Sequence, residues 1–198
     1  NWILEDDYVY PLLKSSDLAK GIVQQPRRWV LVPQSYLGES TAHIKQNAPE
    51  TWKYFNNHKT FFDKRKSSIY KNKPKFSIFG VGDYSFSLWK VAISGLYKNL
   101  KFVVVGPYKD KAVMLDDTCY FIPCKNKKEA DFVASLLNSS IAKNFFSSFI
   151  FWDSKRPITA SILSQLDIFL LAEELGFESE INEFLHTEKV KQLSLFSL

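Results

Sequence analysis

The sequence predicts a mixed α/β fold, in which a twisted, largely antiparallel sheet is flanked by helices and followed by a helical C-terminal part. Hydrophobic residues form 45% of the 198 positions and aromatic residues 16%, which suits a globular core and argues against disorder. Short apolar runs between turn residues recur about every ten residues in the middle of the chain, a spacing typical of antiparallel strands. From Lys127 onward the apolar residues recur at helical spacing.

Residues 1–26 are interrupted by two prolines and one glycine, so we predict a lead-in or linker from a preceding domain, with one short turn before Gly21. A strand follows at Trp29–Val32, because this apolar run ends at a proline. We expect the main domain at residues 27–166 and a C-terminal helical extension at residues 167–198.

Two helices are predicted next. The first begins after Gly38 with Ser40 or Thr41 as its N-cap, and the second has Pro49 in its first turn. The second helix carries aromatic residues on one face and ends in the basic run 64–66, before Pro74 breaks the pattern.

The predicted strands beyond Pro74 share apolar or alternating composition and are bounded by Gly, Pro or Asp. They are Phe76–Phe79, Trp89–Ser94, Phe102–Val105, Ala112–Leu115 and Cys119–Pro123. A helix then begins near Lys127, breaks at Asn138, and is followed by a helix from Thr159 to Leu166 and by acidic helical segments.

Positive charge is concentrated in one part of the chain. Between Lys59 and Lys111 there are twelve Lys or Arg and three Asp, whereas residues 1–58 balance and residues 112–198 are acidic. Aromatic residues are interleaved with these cations, ten of them from Phe61 to Phe102. A charge run is often only a solvated surface, but this asymmetry favours one concave face that binds the phosphates of a polyanion.

We expect two main groups of residues to contact nucleic acid. The cations at positions 64, 65, 66, 71, 73 and 75 would mainly position phosphates. The residues nearer the bases would be Ser67, Ser68, Tyr70, Asp83, Tyr84, Ser85 and Lys90. The glycines would let the main chain approach closely. The candidates are Lys64, Arg65, Lys66, Ser67, Ser68, Tyr70, Lys71, Lys73, Lys75, Gly80, Gly82, Asp83, Tyr84, Ser85, Lys90, Lys155 and Arg156.

The sequence supports a catalytic function less well than it supports nucleic-acid binding. The segment Gly80–Asp83 follows a predicted strand, as nucleotide-binding turns do, but it lacks a third glycine and a good helix start. The three histidines and two cysteines lack the spacing of metal ligands. Asp116 and Asp117 resemble half of a nuclease site without its lysine partner, and no nucleophile has a plausible base.

Other features suggest the cellular context. Cys119 and Cys124 lie five apart in a predicted strand, so they point to opposite faces and are expected to be free thiols, as in an intracellular protein. No apolar run approaches the roughly 20 residues that cross a bilayer, and no signal peptide is evident. Since the chain does not begin with Met, we expect a fragment of a longer protein.

Several blocks of sequence resemble a known family. They are Tyr8–Leu18, Arg65–Tyr70, Phe76–Phe86 (FSIFGVGDYSF), Trp89–Tyr97 (WKVAISGLY) and Leu136–Ser139. Together they resemble the target-recognition, or specificity, domain of adenine-specific DNA methyltransferases of restriction–modification systems, of the TaqI-like type. The resemblance covers about residues 8–166, and its most specific blocks are Phe76–Phe86 and Trp89–Tyr97.

The resemblance implies a function that depends on a second domain. In such enzymes a catalytic domain binds S-adenosylmethionine and holds the flipped adenine with an Asn-Pro-Pro-Tyr tetrapeptide. This sequence contains neither element, so it implies the recognition half alone: no cofactor in this chain, double-stranded DNA and an upstream methyltransferase domain as partners, and a bacterial or archaeal cytoplasm. The alternative is a protein-docking module that uses the Phe-rich segments Phe145–Phe149 and Phe169 onward.

Overall fold

The computed structural model describes residues 2–185, and in this range the chain forms two small sheets and several helices. The strands are β1 (Val9–Leu13), β2 (Arg28–Leu31), β3 (Trp89–Ser94), β4 (Val103–Val105), β5 (Met114–Leu115) and β6 (Cys119–Cys124). The helices are α1 (Ser15–Lys20), α2 (Ile44–Asn47), α3 (Pro49–Asn57), α4 (Lys59–Asp63), α5 (Lys127–Leu137), α6 (Ser140–Phe149), α7 (Ala160–Leu163), α8 (Ile168–Glu174) and α9 (Glu178–Leu185). The mixed α/β class is therefore confirmed, but the predicted sheet is two sheets.

The first sheet has the order β2–β1–β5 and is built on the N-terminal segment. Strand β1 pairs antiparallel with β2 and parallel with β5. Leu13 at the end of β1 and Leu18 in α1 are buried in the core. Residues 9–20 thus form a strand and a helix where we expected a lead-in with one turn; the division of the polypeptide at residue 26 stays a prediction.

The second sheet has the order β4–β3–β6 and is antiparallel throughout. Its central strand, β3, is covered on both faces. Val91 and Ile93 face the helices α5 and α6, while Ala92 faces α1 and the first sheet. Lys90 shares the side of Ala92, because alternate residues of a strand point the same way.

One predicted strand is wrong. The segment Phe76–Phe79 has no regular structure, since its main-chain groups bond to side chains instead of a neighbouring strand. The Gln34 side chain donates to the carbonyl oxygen of Ile78 at 2.6 Å and accepts from its N–H at 3.2 Å. The Phe76 ring packs against Phe55 and Phe62 of the short helices.

These short helices are fixed by the N-terminal segment. Pro49 opens α3 as predicted, and Glu5 caps it by accepting the N–H groups of Glu50 (2.9 Å) and Thr51 (2.8 Å). Desolvation opposes ionisation of Glu5, yet these hydrogen bonds prevail and lower its pKa to about 2. The predicted first helix begins at Ile44, later than Ser40 or Thr41, and the predicted second helix divides at His58 into α3 and α4.

The C-terminal helices close the larger core. Helix α5 begins at Lys127 with Asn126 as N-cap, and the predicted break falls at Asn138, whose amide bonds both main-chain groups of Phe102. Thr159 caps α7 as predicted, but this helix ends at Leu163. Residues 186–198 of the predicted extension lie outside the described residues.

Both cysteines are buried and free. Burial raises the pKa of the Cys124 thiol to about 12, and burial together with the nearby Asp116 carboxylate raises the pKa of Cys119. Within residues 2–185, the helices are all too short or too polar to cross a membrane.

Candidate nucleic-acid interface

A reversal of the chain after α4 builds a basic surface. The chain leaves α4 at Asp63, passes through a 3₁₀ turn at Ser68–Tyr70, and returns to the buried ring of Phe76. Ser67 caps the turn by accepting the N–H of Ile69. The buried aromatic packing on one side leaves the polar side chains of the reversal facing solvent.

Arg65 holds this reversal closed. Its guanidinium donates to the carbonyl oxygens of Phe62 (3.2 Å), Lys75 (2.6 Å) and Ser77, and thereby ties the start of the reversal to its end. The guanidinium carbon also lies 3.8 Å from the centroid of the Tyr70 ring. A DNA contact by Arg65 stays a prediction; its structural contacts are those of a brace.

The reversal encloses a basin of about 490 Å³ that brings eight of the predicted site residues together. The basin is lined by Phe62, Asp63, Arg65, Lys66, Ser67, Ser68, Tyr70, Lys71, Lys73 and Lys75. We call this surface the lysine basin. Lys64, at the end of α4, is exposed but does not line it.

The charges of the lysine basin are largely uncompensated. Lys75 forms an ion pair with Asp63 at 3.2 Å. Lys66, Lys71 and Lys73 are exposed, and across the described part of the chain they have no carboxylate within ion-pair distance. Unpaired ammonium groups around one concavity suit a ligand with several phosphates.

The glycine-containing loop that follows has a different character. Gly80 adopts φ +78°, a left-handed conformation that favours glycine. The N–H of Gly82 donates to the hydroxyl of Ser85 at 3.3 Å, and the N–H of Ser85 donates to the carbonyl oxygen of Gly82 at 2.8 Å. These two bonds accompany a 3₁₀ turn at Asp83–Phe86. This four-residue turn does not supply the α-helix N-terminus on which the nucleotide-binding reading depended.

A smaller cavity of about 250 Å³ lies beneath this loop, and we call it the Lys90 cavity. Its walls come from both sheets and from the loop: Leu12, Val30, Val32, Ile78, Phe79, Gly80, Val81, Ser85, Lys90, Met114, Leu115, Asp116, Asp117 and Phe121. Most of this lining is apolar. The cavity therefore gathers three predicted site residues, Gly80, Ser85 and Lys90, away from the lysine basin.

Lys90 is almost fully buried, with 1% of its surface exposed. Its ammonium donates to the carbonyl oxygen of Ser87 and lies 5.7 Å from the centroid of the Phe121 ring. No carboxylate of residues 2–185 forms an ion pair with it. Desolvation consequently lowers the pKa of Lys90 to about 8.

The rim of the Lys90 cavity is acidic. Asp116 accepts hydrogen bonds from the main chain and hydroxyl of Thr118, at 3.1 and 2.5 Å. Asp117 is exposed, and Arg156 donates to its carbonyl oxygen at 3.2 Å. Arg156 therefore braces this rim, while its neighbour Lys155 is exposed.

The remaining candidates lie near the loop. Asp83 is exposed, and the Tyr84 ring packs against Phe121 with a centroid distance of 5.8 Å. Burial raises the pKa of the Tyr84 hydroxyl.

Fewer of the central cations share one concave surface than the sequence predicted. The cations of residues 65–75 surround one basin, but Lys98 pairs with Asp153, and Lys111 bonds to Asp6 and to the carbonyl of Val9. Sequence reasoning also missed the wall that Leu12 and Met114 give to the Lys90 cavity. The residues Val9, Tyr10, Leu12 and Leu13 were a local signal for strand β1, but Pro11 in their midst obscured it.

Comparison of the sequence with known proteins relates this chain to a methyltransferase. No family model matches the sequence. A similar protein is the Type II methyltransferase M.NspV of Nostoc sp. (strain ATCC 29411 / PCC 7524), which is 48% identical to this chain over 170 residues. The aligned region covers 86% of this chain and 35% of that relative, so the chain spans about a third of the relative's length.

Proposed function

We propose that this chain is the target-recognition domain of an adenine-specific DNA methyltransferase of a restriction–modification system. It binds double-stranded DNA and positions a specific site for S-adenosylmethionine-dependent methylation by a separate catalytic domain. The similarity to a Type II methyltransferase supports the enzyme class, and its restriction to about a third of that relative leaves room for a catalytic part elsewhere.

The observation that carries the DNA-binding role is the lysine basin. Lys66, Lys71 and Lys73 surround a concavity without ion-pair partners in the described residues, so their charges are available to phosphates. Exposed lysines bind phosphates as point charges, and each neutralised phosphate releases counterions. Ser67 and Ser68 lie in the same wall and add hydroxyl groups that can bond phosphate or base.

The test is a salt titration of duplex binding by the 198-residue chain. Replacing Lys66, Lys71 and Lys73 together by Ala should weaken binding and reduce the slope of log K against log salt by about 3, since each phosphate contact contributes about 0.9. The matched control replaces Lys20, Lys45 and Lys143, which are also exposed lysines without ion pairs in the described residues. Fluorescence anisotropy with a labelled duplex, at several salt concentrations, measures the affinity and the salt slope of each variant.

The control variant has the same net charge as the basin variant, so a general charge effect would weaken both equally. Equal affinities and equal salt slopes for the two variants would remove the assignment of the lysine basin. A variant in which Lys64, Arg65 and Lys66 are replaced together by Ala would be a less specific test of phosphate binding. The loss of Arg65 would also remove the bonds that hold the reversal closed.

A second candidate function is docking onto another protein without direct DNA contact. Phe151 is 82% exposed after α6, and Leu170 on α8 is 63% exposed. Exposed apolar side chains form an interaction surface where they make up a contiguous patch, and the docking function requires Phe151 and Leu170 to belong to one. Replacing both by Ser should then abolish association with the remaining two-thirds of the methyltransferase, supplied as a separate polypeptide, and leave duplex binding unchanged.

A further inference from the structure

Lys90 is the one cation of the central basic region that the fold buries and leaves without a carboxylate, within the part of the chain that the structure describes. A buried ammonium normally has an ion-pair partner or several acceptors. Here the single acceptor is the carbonyl of Ser87, so two of its three N–H groups have no acceptor among residues 2–185. A buried charged group with unsatisfied hydrogen-bond donors suggests a site where a ligand supplies the missing acceptors.

The surroundings of Lys90 restrict the chemistry of that ligand. The cavity walls are mostly apolar and include the rings of Phe79 and Phe121, which suits a flat, uncharged ring. The carboxylates of Asp116 and Asp117 at the rim disfavour a phosphate anion. The volume of about 250 Å³ lies below the range of about 300–1,000 Å³ typical of drug-sized ligands, so the site fits one small ring system.

We propose that the Lys90 cavity binds one unstacked keto base of the DNA, guanine or thymine, whose carbonyl oxygen accepts a hydrogen bond from the Lys90 ammonium. This inference rests on the proposed function, because the base would come from the duplex bound at the lysine basin.

The preference for keto bases follows from donor and acceptor chemistry. Guanine O6 and thymine O4 are acceptors, whereas adenine and cytosine carry an amino donor at the equivalent position. An ammonium group is a donor only, so Lys90 disfavours an adenine or cytosine whose amino group faces it and favours the carbonyl oxygen of guanine or thymine at that position. Because the site is a cavity and not a groove, the base must leave the stack to enter it.

The two sites are connected closely enough for one duplex to reach both. Residues 75–80 lead from the wall of the lysine basin to the wall of the Lys90 cavity, a span of at most about 18 Å. Gln34 fixes the middle of this segment by its two bonds to Ile78. Phosphates held by Lys73 would therefore place nearby bases within reach of the cavity.

The first test needs no DNA duplex. Guanosine, thymidine, adenosine and cytidine are titrated separately into the 198-residue chain, and the amide resonances of Gly80 and Val81 are followed by NMR. The shifts should give dissociation constants for guanosine and thymidine that are at least tenfold lower than those for adenosine and cytidine. Lys90→Met should abolish this difference. The control Lys143→Met should not change it. No shift with any nucleoside, or equal shifts with all four, overturns the proposal.

The second test separates this proposal from the proposed function. The wild-type chain and Lys90→Met each select sequences from a random duplex pool. Lys90→Met should retain the affinity and salt slope for the pool but lose the preference for G or T at one position. An unchanged preference at every position overturns the keto-base site and leaves the lysine basin intact. If the wild-type chain binds no duplex, the proposed function fails, and the nucleoside titration alone decides the cavity.

Discussion

The lysine basin and the Lys90 cavity use the same side chain in opposite environments. In the basin, lysines are exposed and solvated, so they act at long range and are screened by salt. In the cavity, one lysine is desolvated, so it acts at short range and destabilises the fold. The difference teaches that a cation's contribution to function is separable from its contribution to stability, and mutations can distinguish the two.

The largest expected effect is on stability at Lys90. Lys90→Met should raise the free energy of unfolding at pH 7 by on the order of 3 kcal/mol, because folding lowers the lysine pKa from 10.5 to about 8 and one pKa unit corresponds to about 1.4 kcal/mol. Between these two pKa values the unfolded state binds more protons, so the wild type gains stability as pH rises. The advantage of Lys90→Met is therefore full below pH 8 and lost near pH 10.5.

Urea unfolding at several pH values measures this advantage. The control Lys66→Met, in the exposed basin, should change stability by less than about 0.5 kcal/mol. A Lys90→Met variant that is less stable than the wild type at pH 7 would show that the ammonium is well compensated and that the contrast between the two regions does not hold.

An intermediate effect is expected at the brace of the basin. Arg65→Ala should reduce the free energy of unfolding by about 2 kcal/mol, because it removes the bonds to the carbonyls of Phe62, Lys75 and Ser77. It should also weaken DNA binding although every lysine remains. The adjacent Lys64→Ala lacks such contacts and should leave stability unchanged, as urea unfolding would show; equal stability of both variants would contradict the bracing role.

The smallest effect concerns the loop over the cavity. Gly80→Ala should reduce the free energy of unfolding by about 1 kcal/mol, because φ is +78°, a left-handed conformation that alanine disfavours. The added Cβ would contact nothing within 4 Å, so the backbone conformation alone causes this loss. Gly176→Ala is a matched control, with φ +77° and equally open space between α8 and α9. Both should lower the melting temperature alike, but only Gly80→Ala should alter nucleoside binding. Altered binding in both variants would argue against a local role for the loop.

Part of this architecture could be predicted from local sequence. The stripe of α5 and its break at Asn138, Pro49 at the start of α3, and the buried run of β3 all follow from short-range periodicity and capping. The basin residues were predicted as a group because they are adjacent in sequence, within residues 64–75. Their assignment to DNA contact stays a prediction.

The rest depended on contacts between distant residues. The pattern of Phe76–Phe79 suits a strand, but Gln34 and Arg65 take its main-chain groups, and neither pairing is visible locally. The pairing of β1 with β5 joins residues about a hundred positions apart and was masked by Pro11. That pairing places Leu12, Met114 and Leu115 in the wall of the Lys90 cavity.

The burial of both cysteines means that the native protein exposes no thiol of its own to labelling reagents. Because thiolate is the reactive form and the pKa of each thiol is raised, maleimide reagents should leave the native protein untouched. A Lys73→Cys variant would then carry one reactive thiol at the basin edge, and a fluorophore attached there would report the arrival of a duplex without any other site being labelled.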